Sequence, residues 1–133
     1  MSVKSKITLL KNVPKGETLG YSRTFQTERD SLIATIPIGY NDGLPRALSN
    51  KGRAIIKGKF APVVGRVSMD LTILDVTDLP QVELFDEVIL IGEQDNQRIT
   101  VEEVAAQSET ISYEITCGVG KRVPRITKTK ARA

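Results

Sequence analysis

The chain has no histidine and only one cysteine, Cys117, among its 133 residues. The first absence removes the commonest general base and the commonest metal ligand. With a single thiol as well, no metal site is expected, and neither an intrachain disulfide nor a Cys–His nucleophile pair can form. Any acid–base chemistry must come from Tyr, Lys, Asp or Glu. No run of about 18 apolar residues occurs. The N-terminal segment Met1-Ser2-Val3-Lys4-Ser5-Lys6 lacks the apolar core of a signal peptide. No membrane partner is therefore expected, and a cytoplasmic location is the default. Neither a GxGxxG nor a GxxxxGK[ST] string is present, so a glycine-rich phosphate loop is excluded. The net charge is a modest +3, with basic and acidic residues interleaved. Without a basic stripe carrying aromatic residues, no nucleic-acid partner is expected.

What remains is a chain long enough for one domain, with a 40% hydrophobic fraction that can bury a core. Most segments are patterned as strands. Ile7 to Leu10 is a short apolar run before a turn cluster of Asn12, Pro14 and Gly16. Thr18 to Phe25 is mixed and extended. Leu32 to Ile36 is a buried strand stopped by Pro37. Gly39 to Ser49 is a loop. Arg53–Ile56 and Ala61–Val67, joined by Lys57-Gly58-Lys59, predict a β-hairpin. Leu71–Val76 and Glu87–Ile91 are strands, the second ended by Gly92.

Thr100-Val101-Glu102-Glu103 is a capping box, with the Thr hydroxyl accepting from the Glu103 amide and Glu103 reaching back. Val101, Val104 and Ala105 continue it at helical spacing, which predicts one short helix over about 101–108. Ser112–Val119 is expected to be a final strand, and Cys117 a small buried hydrophobe. No internal repeat is seen. The fold expected is mainly β, an antiparallel barrel or sandwich with that one helix. Residues 1–127 form the domain, and 128–133 form a solvated, disordered basic tail.

Three strings carry a resemblance: Gly20-Tyr21-Ser22, Gly39 to Arg46 (GYNDGLPR), and Gly65-Arg66-Val67-Ser68-Met69-Asp70. Ile111-Ser112-Tyr113-Glu114 and Arg122-Val123-Pro124-Arg125 extend it. In this order the strings resemble the C-terminal domain of alanine racemase, from about Ser5 to Ile126. That family interconverts L- and D-alanine with pyridoxal phosphate and so supplies D-alanine for peptidoglycan. Its larger N-terminal barrel carries the lysine that binds the cofactor, and no barrel is present in this sequence. Met1 stands just before the family's domain start, which favours an expressed domain over a natural fragment.

On sequence alone, Tyr21 is a half-buried strand tyrosine. The resemblance makes it the acid/base that takes the α-proton from L-alanine, opposite a barrel lysine. Tyr40, by itself a loop residue packed over its turn, becomes the residue that narrows the substrate passage. The family has alanine more commonly where Asn41 stands. Met69, otherwise core filling, presents its backbone N–H to the substrate carboxylate. Asp70, otherwise a turn or cap residue, orders this loop and the channel. Arg66 and Ile111 line the inner channel wall with Tyr40. Tyr113 hydrogen-bonds the cofactor phosphate. Arg122 and Arg125 are chiefly structural in the family.

The resemblance further implies an active site shared between protomers of a homodimer. There this domain meets its own N-terminal barrel, that of the second protomer, and the L- and D-alanine substrates. Alone, the domain is expected to bind no pyridoxal phosphate and to be inactive. Two other readings stay open. One is a stand-alone, non-catalytic β-barrel binding module, against which Tyr21, Tyr40, the Gly65–Asp70 string and Tyr113 in family order speak. The other is a two-domain decarboxylase, whose cysteine-rich catalytic segment is not found.

Overall fold

A computed structural model describes residues 1–19 and 23–128 of the chain. Ten short strands are seen among them: β1 (Val3–Lys6), β2 (Leu9–Val13), β3 (Thr18–Leu19), β4 (Phe25–Gln26), β5 (Ser31–Ile36), β6 (Arg53–Ile56), β7 (Lys59–Pro62), β8 (Thr72–Asp75), β9 (Glu87–Gln94) and β10 (Gln97–Ile99). Two helices follow, α1 (Val101–Gln107) and α2 (Ser112–Cys117). All described strand pairs are antiparallel.

One sheet runs β1-β9-β6-β7 with β10 on the far end of β9, and a second runs β2-β5-β8. The strands at the centre of each are the most continuously apolar, because both of their edges and faces are covered. Ile33, Ala34 and Ile36 of β5 and Val88 to Ile91 of β9 are all buried. Side chains from the two sheets meet in one core that includes Ile36, Ile55, Leu74 and Ile89. A single bridge, Val63 to Leu74, links the sheets on one side. They do not close into a barrel, so the arrangement is sandwich-like.

The predicted hairpin is present, with Lys57 and Gly58 both at positive φ between Ile56 and Lys59, the two-residue turn that matches strand twist. Its second strand ends at Pro62, earlier than expected, because Val63 and Val64 turn to pair with β8 instead. Asn12 lies inside β2, bonded opposite Leu32, and the turn begins only at Pro14. β9 does not end at Gly92 but runs through it to Gln94 and folds back as β10. The polar residues Glu93, Gln97 and Arg98 hid this hairpin, since an exposed pair of strands has no apolar stripe.

Helix α1 forms where the capping motif placed it, with Thr100 Oγ1 accepting from the Glu103 amide at 3.0 Å. Glu103 does not reach back to Thr100. Both its oxygens are taken by Arg53, Nε at 3.0 Å and Nη2 at 2.7 Å, and the same guanidinium lies 3.7 Å from the centre of the Phe60 ring. A fork-to-fork carboxylate pair outcompetes a single backbone donor, and it ties α1 to β6 and β7.

The largest correction concerns 112–119. This segment is not a strand but the second helix, α2, so the domain has two helices where one was expected. Its β-branched residues gave the strand pattern, yet of the residues in α2 only Ile115 is buried. A single buried position among six lacks the alternation that a half-buried strand would show. Ile115 packs into the main core alongside Val104 and Ala105 of α1. Cys117, on the outer side, is exposed rather than buried.

Truncating the core should be costly. Ile55 is fully buried at 0% exposure, so Ile55→Ala should lose about 2–5 kcal/mol in urea unfolding. Leu84, 48% exposed, should lose no more than about 0.5 kcal/mol on the same change.

Candidate functional site

β5 ends at Ile36, and Pro37 prevents the strand from continuing its ladder. Ile38 is still held, because the buried Thr72 hydroxyl donates to its carbonyl at 2.6 Å. The chain then makes one tight turn over Tyr40–Asp42. This turn lies directly on the loop that follows Val67. The Tyr40 amide donates to Ser68 O at 2.9 Å, and the Asn41 amide donates to Met69 O at 3.0 Å. The backbones approach so closely at Gly39 that an added Cβ would stand 2.2 Å from Ser68 O and 2.5 Å from the Met69 carbonyl carbon. Gly43 closes the turn at φ 104°, and a Cβ there would stand 2.4 Å from Gly118 O. Only glycine meets both demands.

The partner loop is shaped by Ser68. Its hydroxyl donates to Leu71 O at 2.9 Å and accepts from the Leu71 amide at 3.2 Å, folding 68–71 back on itself. Met69 sits at the tip, half-exposed, and among the described residues its N–H meets no acceptor. Further back, Asn50 Oδ1 accepts from the Gly65 amide at 2.6 Å while Asn50 Nδ2 donates to Thr24 Oγ1 at 3.2 Å. The segment that follows Ser22 is thereby tied to the start of the Gly65–Asp70 string.

Charge completes the cluster. Asp42 is buried, and a buried carboxylate must be paired. Arg122 supplies the pair with a fork: Nε donates to Asp42 Oδ1 and Nη2 to Oδ2, the latter at 3.1 Å. The Gly39 amide adds a donor to Oδ2 at 3.1 Å. Arg122 Nη2 also donates to Asp70 Oδ1. The Gly120 amide donates to Asp42 O at 3.0 Å, so the segment after α2 is held on both main chain and side chain. Hydrogen bonding from Arg122 holds the Asp42 carboxyl below the usual carboxylate range, against the opposing effect of burial. The two carboxylates in turn raise the Arg122 guanidinium, Asp42 most.

Tyr40, Met69 and Asp70 are thus brought together. Arg66 is exposed on the same string. Ile111 is the residue just before α2, and Tyr113 stands in its first turn, 78% exposed and outside the core. An open depression of about 350 Å³ is lined by Tyr40, Pro45, Arg46, Ser108, Thr110 and Glu114, among others, and the lining includes neither Ile111 nor Tyr113. No bond joins them to Met69 among the described residues. Tyr21 lies outside the described residues. Sequence reasoning missed Asp42 and the role of Arg122. An Asp before a Gly signals only a turn, and nothing in the sequence pairs it with an arginine 80 residues away.

The pair makes stability depend on acid. Asp42 has a lower pKa folded than unfolded, so its contribution is complete above the ordinary carboxylate value of about 3.9 and is lost as pH falls through the lower folded value. Arg122 is half exposed, so the pair is screened, and Asp42→Asn should cost about 1–2 kcal/mol at pH 7. Urea midpoints of the two proteins should converge below about pH 3.9; a gap that stays constant to pH 2 would contradict the assignment.

Residues 1–127 match the family described as alanine racemase, C-terminal domain. Alanine racemase 2 of Caldanaerobacter subterraneus subsp. tengcongensis is 50% identical over 126 residues, which cover 95% of this chain and 32% of the relative. The alanine racemase of Halothermothrix orenii is 50% identical over 127 residues, 96% of this chain and 34% of its own. Among solved structures, the alanine racemase of Bacillus anthracis with bound L-Ala-P superposes with a TM-score of 0.88 at 41% identity, covering 94% of this chain and 32% of that one. That of Bartonella henselae, with covalently bound pyridoxal phosphate, gives 0.87 at 40% identity, with 94% and 34% covered. The chain spans about a third of the length of the curated relatives it matches. With the strings found in sequence order and the glycine-locked loops that they form, this chain belongs to the alanine racemase C-terminal domain family.

Proposed function

We propose that this domain works as the C-terminal third of a pyridoxal-phosphate-dependent alanine racemase. It would supply one acid/base and part of the substrate channel, and the cofactor lysine would come from an N-terminal barrel. The observation that carries this is the backbone lock of the Tyr40 turn onto Ser68 and Met69 in a chain of that family. It holds the Tyr40 and Met69 backbones together, with both side chains exposed and the Met69 N–H meeting no acceptor among the described residues.

The residues present fit the cofactor at its phosphate. Tyr113 is exposed and outside the core, and a phenolic O–H is a competent phosphate donor. They do not enclose it, because the neighbouring depression is open. A second domain has to hold the rest. Bound pyridoxal phosphate supplies the electron sink that acidifies the α-proton of an amino acid.

Met69 N–H binds the substrate carboxylate, a contact that adds no bulk and leaves room for a methyl side chain. Tyr40 narrows the passage, with Arg66 and Ile111 along its wall, and Asp70 orders the loop. The Tyr21 oxygen takes the α-proton of L-alanine and returns it to that face in the reverse direction. A phenol with a reference pKa of about 10 needs positive charge nearby to act as a base, and this charge comes from the barrel. The complete enzyme is a cytoplasmic homodimer in which each such domain faces the barrel of the other protomer, and its D-alanine serves peptidoglycan. Residues 1–127 form the working domain. Of the basic tail 128–133, all but Lys128 is outside the described residues.

Two measurements test this reading. In the complete enzyme, Tyr21→Phe should lower turnover roughly 10²–10⁴-fold. Solvent deuterium should still enter D-alanine at its α-carbon but not L-alanine, and equal wash-in at wild-type rates from both would remove Tyr21 from the role. For this chain alone, titration with pyridoxal phosphate should give no saturable, borohydride-reducible absorbance near one equivalent. A tight single-site signal would show that the domain needs no barrel.

A further inference from the structure

The proposed site uses two loops that are distant in sequence. Tyr40 stands two residues before Asp42, and Met69 one residue before Asp70. Among the described residues, the Arg122 side chain is the one that bonds to both aspartates. Asp42 also accepts from the Gly39 amide, one residue before Tyr40. A planar guanidinium has fixed donor directions, so holding two carboxylates fixes their separation as well as pairing their charge.

We infer that Arg122 and Asp42 are positioning residues of the proposed site: the shared guanidinium sets the gap between the Tyr40 ring and the Met69 amide, and so the size of the amino-acid side chain admitted. The inference rests on the proposed racemase function and goes beyond it, since that reading gives neither residue a contact with substrate. A purely structural role would predict a uniform loss of stability and activity. A positioning role predicts a loss of discrimination.

The chemistry of the pin decides the variants. Lysine keeps the charge of Arg122 but is a point donor that cannot fork to two carboxylates. Arg122→Met keeps the length of the stem and removes the charge. The Arg122 side chain is half exposed, so neither change creates a cavity.

Two readouts test the inference. In this chain, amide hydrogen exchange at Gly39, Tyr40 and Asn41 should speed up by at least about tenfold in both variants while the core strand amides of Ile55 and Val88 keep their protection. In the complete racemase, alanine is compared with 2-aminobutyrate, which is longer by one methylene. A pocket that excludes one methylene discriminates by roughly 10–200-fold, and both variants should lose most of whatever ratio of kcat/KM the wild type shows, with KM for 2-aminobutyrate falling more than kcat changes. Arg122→Lys should recover stability without recovering the ratio. Unchanged exchange at Tyr40, exchange that rises equally in the core strands, or a substrate ratio within about twofold of wild type would each overturn the inference. A wild-type enzyme that does not racemise alanine would instead sink the proposed function, and this inference with it. The exchange data would still show whether Arg122 pins the loops.

Discussion

The candidate site hangs on one ionic arrangement, the Arg122 guanidinium divided between Asp42 and Asp70. Burying a carboxylate such as Asp42 without a partner is prohibitive. Here it receives a forked guanidinium and a backbone N–H, enough to keep it charged. Three stretches of chain are drawn to one point as a result: 39–43, 68–71 and 118–122. Their backbones must then nearly touch. That accounts for glycine at 39 and 43, where any side chain would collide with main-chain atoms. The polar pair and the glycines form a single solution, each required by the other.

The sheets provide the floor for this arrangement. β5 and β8 are adjacent strands, and the two loops leave from neighbouring ends of that pair, 37–43 after β5 and 65–71 before β8. Thr72 fastens the two at the exit point through Ile38 O. Asn50 braces the loop's far side through Gly65. On the opposite flank, Arg53 and Glu103 fix α1 to β6 and β7, and α2 packs against α1. The position of Arg122, just beyond α2, is thereby inherited from a chain of contacts that begins in the core.

Much of the fold could be read in the sequence, and the failures share a cause. Elements defined by local chemistry were legible: the Thr100 cap, the Lys57-Gly58 turn, the continuous apolar runs of β5 and β9. Elements defined by what they pack against were not. α2 has β-branched residues that imitate a strand, and only the burial of Ile115 decides for helix. β10 is polar and is a strand because β9 offers an edge. Glu103 left its capping role because Arg53, 50 residues earlier, is a better partner. At the site, the resemblance singled out Tyr40, Met69 and Asp70, whose loops lie against each other. Asp42 and Arg122 were not, since no local pattern announces an ion pair across 80 residues.

That separation bears on the order in which the molecule takes shape. Arg122 closes contacts spanning 80 and 52 residues, and such closures cost chain entropy that local contacts do not, so they come late. On a ribosome the wait is longer still, because both sheets and α1 have been synthesised before Arg122 exists. Until then Asp42 has no guanidinium, and the Tyr40 turn has only its backbone bonds. The scaffold therefore assembles ahead of the feature it supports, and the loops acquire their final spacing when nearly the whole domain has been made.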